Sequence, residues 1–285
     1  MSYLLAFIVY TIDLGAVYLI FDSLNAVLGA ASLIPLAVLI CMGVSFLGLR
    51  PKPLKKLRSR DRNAVNDAAE ELRMSAELLG IKLPRFRVYF NTGSSVNAFA
   101  GGFNAIVVTQ GMISQYGHDS RIFASVLAHE AAHIKHGDVM FSAIVTVNFI
   151  FLSAALTVSL FGAALLVVLI ASVLFSVIFS DVTALYFSGG FGRICGKVVG
   201  VLKFVVESIG WAVSAIFFRH QELNADKFSA QLGFAYELIF WLEDMSQAEC
   251  SEQTFFEELL STHPSPYTRI MKLEDIETSG EFLLK

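Results

Sequence analysis

The sequence is short of charge. Asp, Glu, Lys and Arg make up 16% of its 285 residues, against about 25% in an ordinary soluble domain, while 55% are hydrophobic and the mean hydropathy is +0.63. So little charge excludes a fold that is water-soluble along its whole length and places much of the chain against lipid. Cysteine is scarce too: Cys41, Cys195 and Cys250 stand apart with no Cys-x-x-Cys spacing, which excludes a disulfide framework and a thiolate metal site. No internal repeat and no low-complexity segment occurs. The first apolar run, Ser2 to Phe21, lacks a basic leader, carries Asp13 and is followed after Asp22 to Asn25 by a second run. It therefore reads as a retained anchor rather than a cleaved signal peptide.

Four apolar runs are present: Ser2 to Phe21, Ala26 to Leu49, Val139 to about Phe187, and Val198 to Phe218. Each approaches or exceeds the ~20 residues that cross a bilayer as a helix. Directly after the second run, Arg50, Lys52, Lys55, Lys56, Arg58, Arg60 and Arg62 face a single acid, Asp61. By the positive-inside rule that flank is cytoplasmic. With a net charge of -4 and a membrane neighbour, the cluster reads as a topogenic or lipid-headgroup patch and not as a nucleic-acid site. The expected organisation is two N-terminal transmembrane helices in 1–49, a first hydrophilic part in 50–138, a membrane insert in 139–218 and a second hydrophilic part in 219–285.

Within the first hydrophilic part, Ala64, Ala68, Leu72, Ala76 and Leu79 recur at helical spacing up to Gly80, which predicts an amphipathic helix with a glycine at its end. Phe86, Val88 and Phe90 alternate as in a half-buried strand. Ser95 to Ala100 and Ala105 to Thr109 flank Gly101 and Gly102 as in a hairpin. Helical spacing returns from Ser120 to about His136, with Phe123, Leu127 and Ile134 on the core stripe.

A second face of that helix contains His129-Glu130-Ala131-Ala132-His133, an HExxH. Its histidines lie one turn apart, close enough for both imidazoles to hold one metal ion, while Glu130 stands beside the ion to take a proton from water. A catalytic zinc uses three protein ligands and leaves one position open, so a third ligand comes from elsewhere. In Arg219-His220-Gln221-Glu222-Leu223-Asn224-Ala225-Asp226 two carboxylates sit four apart on one helical face, so Glu222 can bind metal while Asp226 orients a ligand histidine. His220 is the alternative third ligand, but it lacks the carboxylate partner. His118 and His136 read as surface or capping histidines.

HExxH at His129 to His133, ExxxD at Glu222 to Asp226, Asn97-Ala98-Phe99-Ala100 upstream, and Thr262-His263-Pro264 with Arg269-Ile270 near the end together resemble the HtpX-type membrane metallopeptidases. The resemblance covers nearly the whole chain, with all four elements in the family's order. Gly101-Gly102 and His263-Pro264-Ser265 depart from the family's Thr-Gly and His-Pro-Pro and bear on substrate preference. The resemblance implies an α+β zincin-like metallopeptidase domain, mainly helical with a small sheet, joined to about four transmembrane helices. It implies one catalytic zinc ion, an edge strand at Asn97 to Ala100 that pairs with an extended substrate, His263 donating to the oxyanion, and Arg269 bracing that loop or binding substrate. It further implies a multi-pass protein of a prokaryotic cytoplasmic membrane with its site facing the cytoplasm. Its substrates would be membrane or membrane-associated proteins, damaged ones included, in quality control and stress response, with prenyl-protein or peptide maturation as a second option.

His133 and Glu222 can meet only if the chain between them crosses the membrane an even number of times. One solution continues the HExxH helix into a first crossing and returns through Val198 to Phe218. The other is a hairpin followed by an interfacial segment. The resemblance favours the first; Lys203, Glu207, Arg193 and Lys197 speak against it. A rival class stays open at this stage, a transporter or an inactive binder of client proteins that holds metal, in which Glu130 has no clear purpose.

Overall fold

In the computed structural model the described residues are 11, 24–178, 181–248 and 264–279. Apart from Thr11, the first apolar run with its Asp13 lies outside them, as does His263. The chain divides into two units, Met1–Val145 with Ala215–Lys285, and Thr146–Ser214.

In the first unit, α1 (Leu24–Gly48) is apolar throughout its length and directs Leu36, Leu39, Ile40, Val44 and Leu47 outward. The basic stretch after it opens with a two-residue strand, β1 (Lys52–Pro53), and a 3-10 turn, then enters α2 (Ser59–Leu78), which buries Val65, Ala68, Leu72 and Ala76. Ala68, Leu72 and Ala76 are on the predicted stripe, whereas Val65 joins the core from beside it and Leu79 is exposed; Ile81 closes the helix by donating to the Ala76 carbonyl.

The sheet has the order β1-β2-β4-β3, with β2 (Arg87–Asn91), β3 (Ala98–Gly101) and β4 (Ala105–Thr109). β3 and β4 form the predicted antiparallel hairpin, with Ala98 opposite Val108 and Ala100 opposite Ile106. β2 runs parallel to β4, a pairing that local periodicity does not reveal. β4 is buried at all five residues, as a central strand should be, and β3 is left at the edge.

Thr109 caps α3 (Gln110–Tyr116), and Asp119 caps α4 (Ser120–His136) by accepting from the Arg121 and Ile122 amides. α4 is buried continuously from Phe123 to Ala132 and forms the centre of the unit, with Val65 and Leu72 of α2 in the same core. A buried Ser229 hydroxyl donates to the Ser125 carbonyl, tying the C-terminal part of α6 (Asp181–Gln231) to α4. α7 (Ala235–Ala248) and α8 (Pro266–Ser279) complete the unit; Pro266 opens α8 and Ser265 caps it by accepting from the Thr268 amide.

The HExxH helix is followed by the apolar insert after a bend. Gly137 sits in the left-handed region (φ 76°), which glycine adopts without penalty, and α5 (Asp138–Ile178) leaves at 61° to α4. α6 carries the Val198 to Phe218 run without interruption into the Glu222 segment. Among the described residues, Gly192–Gln231 is long and apolar enough to cross a membrane, and the bent pair Ser120–His136 and Asp138–Phe151 would add one more span.

The second unit consists of the remaining parts of α5 and α6. Phe149 and Trp211 stack at 5.9 Å, and a side chain at Gly210 would collide with Phe149, so glycine permits this approach. Glu207 accepts a hydrogen bond from Ser153 (2.5 Å) and pairs with Lys203 (3.7 Å). Of the charges that stood against a crossing here, Lys203 and Glu207 are therefore matched to each other within the unit, as apolar surroundings demand.

Candidate active site

The site is assembled from α4, α6, α5, α8 and the edge strand β3. His129 and His133, one turn apart on α4, turn their Nε2 atoms towards each other at 3.3 Å, with the rings nearly perpendicular. Glu222 on α6 closes the triangle, Oε2 lying 3.4 Å from His129 Nε2 and Oε1 3.6 Å from His133 Nε2. Two imidazole nitrogens and a carboxylate facing one point are a donor set that suits a metal cation. These three residues could hold a metal ion, their ligand atoms all lying within 4.8 Å of one another.

The opposite edges of both rings explain why the lone pairs point inward. His129 Nδ1 lies 2.9 Å from Asp226 Oδ1, four residues beyond Glu222 on α6, and His133 Nδ1 lies 2.9 Å from Asp138 Oδ2. A carboxylate accepting from Nδ1–H leaves Nε2 free as a ligand. Asp138 is absent from the sequence-based reading, which looked for a carboxylate on the same helical face. Its only signal is the Gly-Asp that ends α4, where the left-handed Gly137 folds the chain back towards His133.

Arg269 on α8 is buried and grips Asp226 with two hydrogen bonds, Nε to Oδ2 at 2.8 Å and Nη2 to Oδ1 at 2.6 Å, while Nη1 lies 3.5 Å from Glu222. Its guanidinium thus lies behind His129 and Glu222, against Asp226. His220 is exposed on α6 and takes no part, His118 is exposed, and His136 packs edge-on against Phe228. Asn97 sits at the start of β3, where its carbonyl accepts from Thr109.

Glu130 is buried beside the ligands and accepts a 2.5 Å hydrogen bond from the Ala100 amide of β3. That amide points away from β4, so the outer edge of the sheet faces the catalytic side of α4. Burial raises the Glu130 pKa above the usual carboxylate value, a tendency opposed by the two histidines and the Ala100 amide and reinforced by Glu222. Burial pushes the Asp226 carboxyl up, but Arg269 and His129 together outweigh it and hold that carboxyl below its ordinary value. His129 is the converse: burial disfavours its cation, yet Asp226 and Glu222 prevail and push its pKa up to about 10. Four buried carboxylates, Glu130, Asp138, Glu222 and Asp226, thus converge with one guanidinium, an excess of negative charge that a bound cation would neutralise.

The profile of peptidase family M48 matches residues 61–277, a stretch that contains every described residue of this site. The chain belongs to peptidase family M48. Its similarity within that family is to the HtpX proteases. The protease HtpX homolog of Burkholderia mallei (strain SAVP1) is 24% identical over 301 residues, covering 94% of this M48 chain and 96% of that protein. The protease HtpX homolog of Ralstonia pickettii (strain 12J) is 32% identical over 138 residues, covering 46% of this chain and 48% of the relative. The crystal structure of S. mikatae Ste24p resembles it in fold, with a TM-score of 0.56 and 17% identity, over 93% of this chain and 62% of that one. The M48 chain thus spans about half the length of the Ralstonia relative and less than two thirds of Ste24p.

Proposed function

We propose that this chain is a zinc-dependent metalloendopeptidase, embedded in a prokaryotic cytoplasmic membrane by about four spans, that cuts membrane or membrane-associated proteins at the cytoplasmic face. The observation that carries the reading is the convergence of His129 Nε2, His133 Nε2 and Glu222 beside a buried Glu130. Two imidazoles and one carboxylate are a donor set that suits zinc and leaves a coordination position open. Zinc bound there would polarise a scissile carbonyl and bring the pKa of water down to ~7.

The remaining steps belong to the chain's own groups. Glu130 accepts the proton of the attacking water, and its raised pKa lets it keep that proton until it is delivered to the leaving amine. Asn97 to Ala100 form the edge along which a substrate strand pairs; the Ala100 amide, which binds Glu130 here, becomes available to a substrate carbonyl when Glu130 turns to the water. His263 donates to the developing oxyanion. Asp226 holds His129, and Arg269 holds Asp226. The transporter or inactive-binder alternative gains no support, since a structural metal site has no use for a buried carboxylate such as Glu130 beside its ligands.

The membrane part of the proposal rests on the basic flank from Arg50 to Arg62 and on four segments: two helices in 1–49, the cytoplasmic domain in 50–138 and 219–285, and two crossings in 139–218. α6 passes from its apolar part into the Glu222 segment without a break, which supports a return crossing that ends at the site. A centre at the membrane surface suits quality control of damaged membrane proteins.

The test is cleavage of an unfolded model protein by the detergent-purified enzyme, stripped of metal and reloaded with zinc, alongside Glu130→Gln. Zinc-dependent cutting by the wild type alone supports the proposal. Zinc binding by both proteins with cutting by neither would sink it.

A further inference from the structure

The two ligand histidines are held by carboxylates of different origin. Asp226 stands on the helix that supplies Glu222, and its backing by Arg269 ties it to α8. Asp138 is the first residue of α5, five positions after His133, and is reached only because Gly137 turns the chain in the left-handed conformation. We propose that Asp138 is a positioning residue of the metal centre, fixing the His133 ring so that Nδ1 donates to its carboxylate and Nε2 faces the ion.

The argument is one of hydrogen-bond direction. A neutral imidazole carries one N–H and one lone pair, and which nitrogen bears the proton is set by the partner of the other edge. Asp138 Oδ2, 2.9 Å from His133 Nδ1, can only accept when ionised, so it selects the Nδ1–H form and leaves the lone pair on Nε2. His133 lies in the last turn of α4, where neither Asp226 nor Arg269 has a contact with it; without Asp138 its ring could rotate about χ1 and χ2. Asp138 itself is buried and stands in the first turn of α5, where the helix dipole favours the anion. The same location offers a plainer role, stabilisation of the start of α5, and the two roles differ in what they do to metal binding.

This inference rests on the metal-centre reading above, and the measurements keep the two apart. Zinc affinity of the metal-free, full-length protein in detergent is measured by competition with a chromophoric chelator, and cobalt(II) spectra are recorded, for wild type, Asp138→Asn and Asp138→Ala. Melting of each metal-free protein is followed in parallel. The expected result is a 10- to 100-fold weaker zinc affinity in both variants, altered cobalt ligand-field bands, and unchanged metal-free melting. Zinc affinity within twofold of wild type in folded Asp138→Asn would overturn the inference alone, as would loss of the metal-free fold in both variants, which assigns Asp138 to the helix start. A wild type that takes up neither metal would remove the metal centre and this inference with it.

Discussion

The two units place the same kinds of side chain in opposite surroundings. In the unit formed by Met1–Val145 and Ala215–Lys285, Phe123 and Phe234 are fully buried, and five charged residues, Glu130, Asp138, Glu222, Asp226 and Arg269, are buried with them. In Thr146–Ser214, Val158, Phe161 and Phe204 are 74%, 66% and 70% exposed, and the charges Lys203 and Glu207 answer each other. Apolar surface turned outward on this scale is stable only if the medium around it is apolar. The polar interior of the first unit is stable only because each charge has a partner. One unit therefore draws its order from an internal electrostatic network, the other from its solvent.

That comparison is best broken at its polar centre. Glu130→Gln should lower kcat by about 10²–10⁴-fold while zinc affinity stays within a few-fold of wild type, as read by steady-state cleavage and chelator competition. A variant that cuts normally would remove Glu130 from the chemistry. Arg269→Ala leaves Asp226 buried without its cation and should cost about 3–5 kcal/mol in chemical unfolding; a cost below ~1 kcal/mol would mean that water or another group already serves Asp226.

The contrast between units sharpens with one substitution made twice. Phe123→Ala in the aqueous core should cost about 3–5 kcal/mol, whereas Phe161→Ala in the second unit should stay within ~0.5 kcal/mol in detergent. Equal costs would mean that Phe161 is packed against protein. A further effect is on pH. In the metal-free protein His129 has its pKa raised to about 10, above the ~6.5 of an unfolded chain. Its contribution to stability is complete below pH ~6.5 and fades as pH rises towards 10. Metal-free melting should therefore fall over that window, while zinc affinity rises, since the ion displaces the proton. Metal-free melting that is flat from pH 6.5 to 10 would show that His129 is neutral.

Much of this was legible from residue spacing. α2, the β3–β4 hairpin and α4 follow from short-range periodicity, which depends on the backbone repeat of 3.6 or 2 and little else. Gathering His129, His133 and Glu222 needed only the chemistry of ligand types and the i,i+4 geometry of Glu222 and Asp226. The parallel pairing of β2 with β4, the brace from Arg269 and the reach of Asp138 were not legible. Each depends on a contact between segments whose separation no helical or strand period spans, or on one left-handed residue that redirects the chain.

The amino-acid sequence by itself determined which side chains are candidates for the chemistry, which runs are apolar enough for lipid, and where several helices start and stop, because these depend on composition and on neighbours within a turn. Only the tertiary structure decided which nitrogen of each histidine faces Glu222, which carboxylate lies against the other nitrogen, and that the HExxH helix bends away at Gly137. Hydrogen-bond direction and burial arise from groups brought together across the fold, and no local pattern encodes them.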